Sequence, residues 1–95
     1  MLRSDFDASL QEDAPPADSS TEIAALWWLV TGNWQKAHDL VDAAAGPDAA
    51  WVHALLHRME GDQANADYWY ARSGRDRQGA TIKREIDILL DCFLS

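Results

Sequence analysis

A chain of 95 residues with a formal charge of -8 and a single cysteine has room for one hydrophobic core of modest size and no more. The acidic balance argues against nucleic acid or an anionic membrane as the main partner, since either requires a cationic face. Cys92 has no second thiol to form an internal disulfide or a CxxC metal pair, which fits a reducing compartment such as the cytoplasm.

The charge is uneven: up to Glu22 one base, Arg3, stands against six acids, whereas residues 71–85 carry Arg72, Arg75, Arg77, Lys83 and Arg84 against two acids. The latter stretch reads as a solvated helix end and loop. Acids stand where an export leader would carry bases, and no apolar run approaches membrane-spanning length, so neither route is expected. Residues 1–18, with the Pro15-Pro16 pair, are poor in apolar side chains and read as a flexible acidic N-terminal arm. Leu2, Phe6 and Leu10 recur every four residues, a spacing that lets a short helix lay one apolar stripe on the rest of the chain.

Residues 19–95 read as one all-α domain. Ser19 stands three before Glu22 in a capping-box arrangement, ahead of the apolar run Ile23 to Val30, which predicts a first helix over about 20–31. Gly32 ends it and Asn33 can cap a second, with Trp34, Ala37, Leu40, Val41 and Ala44 on one face. Gly46-Pro47-Asp48 separates this from a third helix with a stripe of Trp51, Leu55, Leu56 and Met59. Gly61-Asp62 repeats the stop-and-cap signal before a fourth helix that turns Ala66, Trp69, Tyr70 and Ser73 inward and closes at Gly74. After a polar loop, Thr81 can cap a last helix bearing Ile82, Ile86, Leu89, Leu90, Phe93 and Leu94 on one side, as a lid over two helical hairpins requires.

The two glycine turns lie 29 residues apart, and each is followed by an alanine, Ala37 or Ala66, five residues later. Together with Ala25, Ala54 and the aromatic Trp28, for which His57 stands in the second copy, these turns resemble tetratricopeptide repeats, whose usual period is about 34 residues. The run from Ala66 through Trp69-Tyr70 to Gly74 also resembles related short-hairpin repeats with a Trp-Tyr pair. Residues 51–75 are similar to a segment of small uncharacterised microbial proteins. The resemblance implies two antiparallel hairpins with a C-terminal capping helix. It also implies a non-catalytic interaction or adaptor module, in which Glu22, Leu26, Leu29, Trp51, Leu55 and Arg58 face a partner protein segment, with self-association as a homodimer through the apolar last helix or the N-terminal tail as a variant.

One group of side chains suggests a different use. His53 and His57 are four apart on the third helix, so two imidazoles can reach one metal from the same face. Glu60 lies a turn further, and a third ligand would come from Asp62 or from His38 across the hairpin. Ala54 occupies the place where a His-Glu-x-x-His hydrolase carries its glutamate. With Trp51, Arg58, Tyr68, Trp69 and Arg72, the histidines make a candidate pocket for an anion, a peptide carboxylate or a metal. The same residues can equally be core, with Trp69 and Tyr70 packed inward and Arg58 and Arg72 paired to Glu60, Asp62 or Asp67. No nucleophile constellation or phosphate-cradling glycine loop is visible, which disfavours an enzyme and leaves no cofactor expected.

Overall fold

The computed structural model describes residues 1–76 and 81–94, and all regular structure among them is helical. Arg77 and the rest of the expected polar connection at 77–80 lie outside the described residues. The helices are α1 (Arg3–Ser9), α2 (Thr21–Val30), α3 (Trp34–Asp42), α4 (Pro47–Met59), α5 (Gln63–Ser73) and α6 (Ile82–Phe93). No helix among the described residues is long and apolar enough to cross a membrane.

Two hairpins, α2 with α3 and α4 with α5, form the closest helix pairs, and α3 joins them by packing on α4. The same local chemistry builds both turns. The N–H of Gly32 donates to the Leu29 carbonyl and that of Asn33 to Trp28; the N–H of Gly61 donates to Arg58 and that of Asp62 to His57. This is the paired bond pattern that satisfies the last carbonyls of a helix, and it needs a left-handed residue at the glycine. Gly32 and Gly61 supply it with φ of 94° and 83°. The next residue then caps the following helix: Asn33 accepts from the Lys36 N–H and Asp62 from the Asn65 N–H.

Three details of the sequence reading change. The α2 cap is Ser20, whose side chain accepts from the Ile23 N–H, one residue later than the Ser19 box; the first turn then places Glu22 too early to close the box. Helix α3 ends at Asp42 rather than running up to Gly46. Met59, expected in the α4 stripe, is exposed, because α4 has no single stripe: every residue from Ala49 to His57 is buried. A helix buried on all sides belongs inside a bundle, and α4 is touched by α2, α3, α5 and α6.

The last helix, α6, lies across α2 and α4 with Leu89 and Leu90 buried, so Leu26, Leu29, Trp51 and Leu55 are core. Within residues 1–18, α1 sets Phe6 into that core with no exposed area. Its stripe is held by polar contacts at its rim. The Trp27 Nε1–H donates to the Ser9 hydroxyl at 3.1 Å, and the Arg3 guanidinium bridges to Asp87 and Asp91 of α6. The exposed ion pairs contribute little on their own; the buried ring dominates. Phe6→Ala is therefore expected to lower the unfolding free energy by about 3–5 kcal/mol, read from urea denaturation followed by tryptophan fluorescence. A loss under about 1 kcal/mol would mean that α1 is not part of the core.

Candidate functional site

Helix α4 carries the candidate residues on two opposite sides. Trp51 and Arg58 are seven apart and share one side, whereas His53 and His57 lie about 100–160° round the helix from them. The structure therefore divides the group anticipated from sequence into two.

On the first side Trp51 and Arg58 meet a residue the sequence reading passed over, Glu85 of α6, which has no exposed area. Its carboxylate accepts from Trp51 Nε1–H at 3.1 Å, from the Arg58 guanidinium at 2.6 Å and from the Tyr70 hydroxyl at 2.7 Å. Burial and the adjoining carboxylate push the Tyr70 phenol well above its ordinary range, so the hydroxyl stays protonated and donates. The Arg75 guanidinium sits 4.1 Å from the centre of the Trp51 ring. This is a buried charge with its partners converged on it, and it ties α6 to α4 and α5. A visible signal existed: Glu85 falls inside the apolar stripe of α6, three residues after Ile82 and four before Leu89. Glu85→Ala would take from Arg58, Tyr70 and Trp51 the buried carboxylate they share. The expected loss is on the order of 3–5 kcal/mol, visible as a fall in thermal midpoint, and a midpoint within a degree or two of the parent would show that the latch contributes nothing.

On the second side the sequence-predicted histidines come together with a third. His38 of α3 approaches His53 with the two Nε2 atoms 3.1 Å apart, and His57 stacks on His53 with ring centres 4.9 Å apart. One nitrogen from each of His38, His53 and His57 lies within 4.8 Å of the others. Two tryptophans wall the cluster. Trp34 stacks on His38 at 4.9 Å and is anchored by its Nε1–H to the Leu56 carbonyl; Trp69 stacks on His53 at 3.8 Å. Trp34, absent from the residues anticipated, stands four before His38 and could have been found from that spacing. Tyr68 and Arg72 lie outside this core: Tyr68 is exposed, packs edge-on to Trp69 and accepts from the Arg72 guanidinium at 3.2 Å. Arg58 thus pairs with Glu85, not with Glu60, Asp62 or Asp67.

The hydrogen atoms of the cluster follow from the partners. A carboxylate oxygen accepts only, so His57 Nδ1 must carry hydrogen where it meets Glu60 Oε1 at 2.5 Å, and in the neutral form of the ring the lone pair is then on Nε2. Between His38 Nε2 and His53 Nε2 there is room for one hydrogen, so one ring donates and the other accepts. His53 is 2% exposed, and its Nδ1 is buried with no partner.

Burial, reinforced by the neighbouring His38 and His57 and opposed by Asp42, lowers the His53 pKa from 6.5 to about 4. Between these values the unfolded chain binds a proton at His53 that the folded chain does not, so folding stability falls as pH drops through that window. Urea melts of chelator-treated protein are expected to show this decline, and His53→Gln should flatten it; equal slopes for the two proteins would contradict the assignment.

Comparison with family models, with curated proteins and with solved structures finds no match. The chemistry of the site is therefore read from its own geometry.

Proposed function

We propose that the chain is a binding protein for a divalent transition-metal ion, held by His38, His53 and His57. The observation that supports this reading is the convergence of three imidazoles with His38 Nε2 and His53 Nε2 at 3.1 Å. In a tetrahedral site with metal–nitrogen bonds of 2.0–2.1 Å, neighbouring ligand nitrogens are about 3.3 Å apart. The 3.1 Å separation is thus close to what an ion held by both rings needs, provided each ring keeps its own hydrogen on Nδ1 and turns to aim its Nε2 lone pair at the ion.

Neutral imidazoles suit zinc, copper and nickel, and give calcium or magnesium little. The low pKa of His53 keeps a lone pair available near neutrality, and three protein ligands leave one position of a tetrahedron for water. Of the two third ligands considered from sequence, Asp62 has its oxygens engaged by the Asn65 backbone and side-chain N–H groups, which favours His38. The reading in which a partner segment lies along Leu26, Leu29, Trp51 and Leu55 draws less support, since these residues pack inside the chain's own fold.

Chelator-treated protein without a histidine tag is expected to bind one zinc ion per chain by calorimetry. Zinc at a hundredfold its Kd stabilises the folded chain by about 2.7 kcal/mol, which for a domain of this size is a rise of roughly 10–20 °C in Tm. His38→Ala, on a half-buried ring, should abolish the rise while the metal-free protein still melts cooperatively. Absence of a zinc-dependent shift in the parent protein would refute the proposal.

A further inference from the structure

The three rings of the cluster differ in what stands behind them. His53 Nδ1 has no partner, and among the described residues His38 has no carboxylate on it. His57 alone has one: Glu60 Oε1 accepts from its Nδ1–H. The two residues are three apart at the end of α4, with Glu60 as its C-cap and its side chain 39% exposed against 11% for His57.

A carboxylate in this position does two things to an imidazole. It fixes the tautomer, so that the lone pair is on Nε2, and it holds the ring at one angle while raising the basicity of Nε2 toward a metal ion. Resting on the metal reading above, we propose that Glu60 is the positioning residue of the site: it coordinates nothing itself, and it tunes the affinity of the ion through His57. The neighbouring Asp62 does not share this role. Its Oδ1 and Oδ2 cap α5 through the N–H and the side-chain amide of Asn65, which holds the carboxylate on α5, whereas the His57 Nδ1–H is taken by Glu60. The His57, Glu60 and Asp62 group, whose ligand atoms lie within 4.8 Å of one another, is on this account the outer support of the three-histidine site and not a second metal centre.

The experiment is a cobalt(II) titration of the full chain and three variants, read by the visible absorption of the bound ion. Glu60→Gln keeps an acceptor but removes the charge; Glu60→Ala removes both. Loss of affinity by about ten- to a hundredfold is expected, larger for Ala than for Gln, with one ion per chain and an unchanged cobalt spectrum. Asp62→Asn preserves the helix cap and should bind as the parent does. Thermal melts of the metal-free variants within a few degrees of the parent separate this loss from unfolding.

A cobalt spectrum altered in Glu60→Gln would make Glu60 a ligand and overturn the inference. So would two ions bound per chain, or an Asp62→Asn loss equal to that of Glu60→Gln. A parent chain that binds cobalt with an affinity Glu60→Gln leaves unchanged overturns this inference alone; a parent that binds none overturns it together with the metal reading.

Discussion

Helix α4 is buried from Ala49 to His57, and a polar group taken out of water must find its hydrogen-bond partners inside the protein. That constraint organises much of what surrounds the helix. Arg58 cannot reach solvent freely and is met by Glu85 of α6; Glu85, with no exposed area, then requires the further donors that Trp51 and Tyr70 supply. His53 and His57, on the other side, are met by His38 of α3 and by Glu60. One helix thus ties together α3, α5 and α6 through the polar side chains it was obliged to satisfy.

The two sides solve the same problem with opposite chemistry. On the Glu85 side the charges are kept, because three donors converge on one carboxylate and a buried pair is tolerable when its remaining lone pairs are used. On the histidine side the charge is given up: desolvation and the neighbouring imidazoles hold His53 neutral. A neutral, partly satisfied group with a lone pair is reactive toward an electrophile in a way that a satisfied carboxylate is not. The proposed metal site therefore falls on the histidine side and not on the larger network around Glu85.

The repeated turns give the frame, and the departures between copies give the site. Trp28 and His57 occupy equivalent places, each offering its carbonyl to the cap residue that follows the glycine. In the first hairpin Trp28 packs edge-on to Trp27 and carries Lys36 over its face. In the second, His57 puts a ring nitrogen toward the junction with α3, where His38 stands beside it.

Much of the fold was legible in the residues themselves. Glycine at positive φ followed by Asn or Asp specifies a helix turn locally, and the 3.6-residue recurrence of apolar side chains specifies helices; both are short-range and need no knowledge of the rest of the chain. The spacing of His53 and His57 on one helix face was legible for the same reason. Tertiary structure alone decided that Trp51 and Arg58 belong with Glu85, that Trp34 and His38 of α3 complete the histidine cluster, and that the expected partner-facing residues lie beneath α6. The polar meetings among these join residues 15 to 34 positions apart, and sequence periodicity says which side of a helix a residue occupies but not which other helix will be packed against that side.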